Sequence, residues 1–187
     1  MNIELPTLSE SIHSFNLKMN AAYFFLKKIR GIYAPGGKFS EVPDELFYYV
    51  DAVIFELHAA SQMFLQIINV KSGVNENAHM VSWNPKFKKN LKENNTKLFS
   101  WWEEFNISPE FHILEAMRQY ISHRGGSFLQ VEVDENENIT LLSIPIRFRY
   151  YKGKPELKPT GQSIELIDEL NNIALYLNAS YKNLMIY

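Results

Sequence analysis

Two apolar stripes at helical spacing, set close together in the chain, restrict the possible folds more than any other feature of this sequence. Ile12, Phe15, Met19, Ala22, Leu26 and Ile29 recur in steps of three and four, which marks one face of an amphipathic helix. Gly31 and Pro35-Gly36-Gly37 stop it. A second helix is expected to begin near Pro43, with Asp44 and Glu45 in its first turn and Ser40 as an upstream cap. Leu46, Val50, Val53, Leu57, Ala60, Phe64, Ile67 and Ile68 give it a core-facing stripe of about seven turns, ended by Gly73 and Asn75. Two such helices joined by a short Gly/Pro loop predict an antiparallel hairpin zipped along its apolar faces.

The rest of the chain supplies partners for that hairpin. Residues 85 to 105 read as a weaker helical region that starts at Asn84-Pro85, is broken near Asn94-Asn95, and offers Phe87, Leu91, Leu98, Phe99 and Trp102 to a core. Ser108-Pro109-Glu110 is a clear helix start, and Phe111, Leu114, Met117 and Ile121 hold the period to Gly125-Gly126. Between 128 and 150 the period changes. Val131 and Val133, then Leu142, Ile144, Ile146, Phe148 and Tyr150, alternate with polar positions around Asp134-Glu135-Asn136-Glu137-Asn138, which predicts a β-hairpin with an acidic turn. After a connector from Pro155 to Pro159, the positions Ile164, Ile167, Leu170, Ala174, Leu177 and Tyr181 predict a last helix. No internal repeat or domain boundary interrupts the sequence, so one mainly helical domain over residues 1–187 is expected.

Composition narrows the chemistry. With 187 residues, 46% of them hydrophobic, the chain can bury roughly 70% of its unfolded surface without metal or disulfide staples. Cys is 0, which removes thiol nucleophiles and thiolate metal sites and fits a reducing compartment, the cytoplasm by default. Met1 to Glu10 lacks the basic and apolar regions of a signal peptide, and the charge-free stretch Leu57 to Val70 is too short to span a bilayer, so no membrane segment is expected. A net charge of −2 leaves any nucleic-acid surface to local patches. Lys86, Lys88, Lys89, Lys92 and Lys97 stand among Phe87, Phe99, Trp101 and Trp102, and Arg147, Arg149, Lys152, Lys154 and Lys158 interleave with Phe148, Tyr150 and Tyr151. Such mixtures serve phosphates and unpaired bases, though each is also the ordinary look of a solvated helix face or strand.

The segment richest in chemistry is Glu115-Ala116-Met117-Arg118-Gln119-Tyr120-Ile121-Ser122-His123-Arg124-Gly125-Gly126. Its Arg-x4-His spacing, on a helix that follows a long helical hairpin and precedes a closing helix, resembles the HEPN superfamily of small helical-bundle proteins. The resemblance implies an antiparallel helical bundle, with the β-hairpin as an addition before the last helix. It also implies a homodimer that cleaves RNA without metal or cofactor, and a role as a toxin paired with an antitoxin protein or as a defence component. Carried over by position, Arg118 and His123 are the motif residues, with Gln119, Arg124 and Glu115 in support. Gln119 stands where the family commonly has Asn, Asp or His.

The residue types suit that reaction. Metal-free RNA cleavage needs a base for the 2′-hydroxyl proton and a cation for charge building on the phosphorane, which are jobs for imidazole and guanidinium. Five residues at ~100° each separate Arg118 and His123 by about 140° on an ideal helix, so a two-fold partner is what would bring both kinds of group to one phosphate. The alternative is a non-catalytic interaction or regulatory module, with Arg118 paired to Glu115 one turn earlier and His123 capping the helix C-terminus. A metal site from Glu56, His58, His112 and Glu115 is disfavoured, because Glu56 and His58 lie about 200° apart on their helix.

Overall fold

A computed structural model describes residues 6–32, 44–77, 81–124, 130–136, 139–144, 147–151, 154–158 and 164–187; for Tyr120, His123, Arg124 and most strand residues it describes the backbone alone. The chain is mainly helical. Its order is α1 (Leu8–Ile32), α2 (Glu45–Lys71), α3 (Pro85–Asn94), α4 (Thr96–Asn106), α5 (Pro109–Arg124), strands β1 (Gln130–Val133), β2 (Ile139–Ile144), β3 (Arg147–Tyr151), β4 (Lys154–Lys158) and β5 (Ile164–Glu165), then α6 (Leu166–Ile186).

α1 and α2 form the most extensive helix pair, and their stripes behave as the spacing predicts. Phe15, Met19, Ala22, Leu26 and Ile29 are buried on α1, and every residue of the expected α2 stripe is buried. The helices run antiparallel: Lys18 meets Glu56 at 3.0 Å and the Phe25 ring stacks on Tyr49 at 5.9 Å. The start of α1 is set by a capping box, in which Thr7 N–H donates to Glu10 Oε2 (2.7 Å) and Glu10 N–H to Thr7 Oγ1 (3.2 Å). Asp44 stands at the N-cap of α2 without a side-chain cap bond; the expected cap Ser40 and Pro43 lie outside the described residues.

α2 is buried over a wider arc than a single stripe, since Ile54, Ser61, Leu65 and Asn69 join its core set. The wide arc serves several partners: α1, α5 and α6 all pack on α2. Among the described helices α2 alone is long and apolar enough to cross a membrane, a property the charge-free stretch did not bring out, and 56% of its apolar window is buried within the bundle.

Aromatic rings join the layers. Phe64 of α2 touches Phe15 of α1 at 5.2 Å and Trp101 and Phe105 of α4 at 5.5 and 5.0 Å, and Phe105 continues to Phe111 of α5 and Tyr176 of α6. The weak helical region divides where Asn94-Asn95 stand. Asn95 Oδ1 accepts from Leu98 N–H at 3.1 Å and so caps α4, while Asn84 Oδ1 caps α3 through Phe87 N–H at 2.9 Å. Ser108 caps α5 through Phe111 N–H.

Between α5 and α6 the strands form two antiparallel groups, β1-β2-β5 and β3-β4. In the turn between β1 and β2, Asn136 N–H donates to Asp134 Oδ1 at 2.8 Å, an Asx turn. Two expectations are corrected here. The stretch 142–150, read as one strand, is split, because β2 pairs with β1 and β5 whereas β3 turns to β4. Pro145 and Ile146, between them in sequence, lie outside the described residues. Ile164, expected in the last helix, belongs to β5; α6 starts two residues later, where Glu165 Oε2 accepts from Asp168 N–H at 2.8 Å.

Candidate functional site

The helix period of α5 explains the setting of Arg118. Phe111, Leu114, Met117 and Ile121 are buried, and Arg118 follows Leu114 by four residues and Phe111 by seven, so its stem starts on the core side. The residue is half-buried, as is Glu115, whereas Gln119 is exposed. The side chains of His123 and Arg124, the other two residues expected in the motif, lie outside the described residues.

A residue of α2 enters this site. His58 is half-buried and lies within the field of Arg118. Burial takes its imidazole far below the ordinary histidine value, to about 4, and the Arg118 charge pushes the same way, so the ring is neutral at physiological pH. Burial also raises Glu115 above the usual carboxylate value, against the opposite pull of Arg118. His112, one turn before Glu115, is lowered by burial.

These effects rank the forces at the site. At Glu115 removal from water outweighs the attraction of the guanidinium, and no described carboxylate lies within 4 Å of Arg118. The expected Glu115–Arg118 contact pair is therefore not formed at ion-pair distance, although each feels the other. A half-buried guanidinium with five N–H donors can hold an anion, while the His58 imidazole within its field stays neutral and resists taking up a proton.

His58 was legible only as a weak metal ligand, because it stands 60 positions from Arg118 in the chain. A local signal existed in the extra buried residues Ile54, Ser61 and Leu65, which widen the apolar arc of α2 toward the flank that carries His58. Among the described residues no group of three His, Asp or Glu is placed to hold a metal ion.

The first basic cluster is corrected as a base-stacking surface. Phe87, Trp101 and Trp102 are core residues, and Lys86, Lys88 and Lys92 have other contacts. Lys86 meets Glu76 at 2.7 Å, Lys88 lies 4.8 Å from the Trp83 ring centre, and Lys92 lies 5.6 Å from that of Phe99. Amphipathic packing won here: Phe87, Trp101 and Trp102 turn inward, and the Lys88 and Lys92 ammonium groups lie over the rings of Trp83 and Phe99. In the second cluster the β3–β4 register sets Arg147 opposite Lys158, Arg149 opposite Glu156 and Tyr151 opposite Lys154. The side chains of these strand residues, and all of Lys152, lie outside the described residues.

Compared with family models, curated proteins and solved structures, the chain matches none.

Proposed function

We propose that this protein is a HEPN-like helical bundle, with its β-hairpin inserted before α6, that acts as a homodimer to cleave RNA without metal or cofactor. The single observation that supports the reading is Arg118: a half-buried guanidinium on α5, with no described carboxylate in contact and a neutral imidazole nearby. A cation kept close to the core without a contacting acid is costly unless it serves an anion. In this reading Arg118 stabilises charge on the scissile phosphate, and His123 exchanges the proton of the 2′-hydroxyl and of the leaving oxygen. Gln119, Arg124 and Glu115 support them. Arg147, Arg149, Lys152 and Lys154 guide the RNA strand by charge, and an antitoxin protein would silence the dimer.

The test is cleavage of single-stranded RNA by purified protein in excess chelator. Cleavage is expected, with Arg118→Ala and His123→Ala each reducing it at least a hundredfold while circular dichroism stays unchanged. A dimer is expected by analytical ultracentrifugation. Intact RNA under all conditions would instead favour a non-catalytic interaction or regulatory module in which Arg118 and His123 are structural.

A further inference from the structure

Two contacts mark the seam of the α1–α2 hairpin, Lys18 with Glu56 at 3.0 Å and Phe25 with Tyr49 at 5.9 Å. One position before each of these residues stands an exposed apolar side chain: Leu17 (53% exposed) and Phe24 (55%) on α1, Phe55 (41%) and Tyr48 (71%) on α2. One step along a helix turns the side chain by ~100°, so all four leave the seam on the face opposite the buried stripes. Half-buried Ala21 and Ala52 stand midway between them on their helices and form a low floor. We propose that a second copy of the chain docks on this face, so that the homodimer pairs through the outer sides of its α1–α2 hairpins. The inference rests on the dimeric reading above, which leaves open the face that the copies share.

The size of the face fits that occupant. Three rings of ~200 Å² each, exposed by these fractions, together with Leu17 leave about 400 Å² of largely apolar surface in one place. A monomer seldom keeps a larger patch open to water. A standard interface covers ~800 Å² per partner, little more than half of it apolar, so these side chains supply the apolar share that one copy brings to a stable dimer. The source of the patch is α2, whose apolar window is long enough to cross a membrane yet only 56% buried within the bundle. The remainder gains by being covered.

Charge selects a copy of the same chain over other partners. Lys18 and Glu56 neutralise each other across the seam, and at the end of the hairpin Lys27 and Lys28 stand with Asp44 and Glu45, all four exposed. A face whose cations and anions balance meets its own copy without like-charge repulsion. An anionic lipid surface or a nucleic acid calls for an excess of cations, which this face lacks. The location also suits the candidate site. His58 follows Phe55 by three residues, about 60° around the helix, so His58, which the Arg118 charge reaches, borders the face. A docked copy therefore stands beside that site, where a groove shared by two protomers has to lie.

The experiment is sedimentation velocity on the full 187-residue chain from about 1 to 100 µM. A species of twice 21.8 kDa is expected. Phe24→Glu and Phe55→Glu put like charges into the pairing face at exposed positions, so circular dichroism should stay unchanged while each raises the dimer dissociation constant about tenfold or more. Leu175→Glu, at an exposed apolar position of α6, should leave the dimer intact. A dimer that both face variants leave unchanged would overturn this docking face and keep the dimeric reading, whereas a monomer throughout the range would overturn both. A monomer that binds vesicles of phosphatidylserine and phosphatidylcholine, and loses them in Phe24→Glu, would assign the face to lipid and overturn the proposal as well.

Discussion

Asn69 and Glu76 hold each other through two hydrogen bonds: Asn69 Nδ2 donates to the Glu76 carbonyl at 2.7 Å, and Glu76 N–H donates to Asn69 Oδ1 at 2.8 Å. Asn69 has no exposed surface, so its amide takes the place of a strand partner for the loop that leaves α2. Gly73 and Asn75 in that loop have positive φ, and the Asn69 clasp is what returns the chain across the helix end.

Both hydrogen-bonding atoms of Asn69 are in use, so its isosteres should be poorly tolerated. Asn69→Asp removes the donor and brings a charge into the core, and Asn69→Leu leaves the Glu76 backbone unpaired. Each is expected to lower stability by about 2–4 kcal/mol. Urea denaturation measures it, and a loss below about 1 kcal/mol for both variants would show that the clasp is dispensable.

Phe64 bridges α1, α2 and α4 through Phe15, Trp101 and Phe105. Phe64→Ala should cost about 3–5 kcal/mol, because three rings lose a shared partner and the packed helices cannot close the gap. Phe64→Leu should lose less than half as much. A near-neutral Phe64→Ala in a thermal melt would mean that the ring contacts do not carry the core.

His58 predicts a loss of stability in mild acid. The unfolded chain takes up its proton near the ordinary value of 6.5, whereas the folded chain resists it down to about 4. The contribution of the neutral ring is full above pH 6.5, declines as pH falls toward 4, and then levels off. It is at most about 3 kcal/mol, reduced by screening because the ring is only half-buried. Denaturation curves at pH 7.0, 5.5 and 4.5 should fall more steeply for the wild type than for His58→Gln; parallel curves would refute the assignment.

Glu169, in the first turn of α6, is raised above the usual carboxylate value by burial and then by the charge of Glu110 in the first turn of α5. A first-turn acid normally favours a helix, but here water loss and like charge outweigh that gain. The cost is present at neutral pH and is relieved as pH falls through the folded value. Glu169→Gln should therefore stabilise by roughly 0.5–1 kcal/mol at pH 7, with the gain shrinking in acid. A lower melting temperature for Glu169→Gln at pH 7 would contradict this.

The helix faces were open to sequence reading because one period generates them. Residues such as Phe15, Met19 and Ala22, or Leu46, Val50 and Val53, announce a buried side from spacing alone, and Asn84 and Ser108 announce their helix starts through local caps, whereas Asn95 reads only as a break and its cap on α4 emerges in the structure. The Thr7–Glu10 capping box had the same local signal and completes the set. The strands were less legible, since alternation over 142–150 continues through Pro145 and says nothing about which neighbour each half pairs with.

Arg118 and Glu115 could be named from the chain, being one helical turn apart, but their departure from a contact ion pair could not. That outcome depends on how much water the packing of α5 against α2 removes. The reach of the Arg118 charge to His58, the like-charge influence of Glu110 on Glu169, and the inward turn of Trp101 and Trp102 share this origin. Helical period and capping are interactions between residues a few positions apart, so the order of residues encodes them directly. Electrostatic partners and cavities form between segments tens of residues apart, and their energies follow from burial and distance, which exist only once the helices have packed.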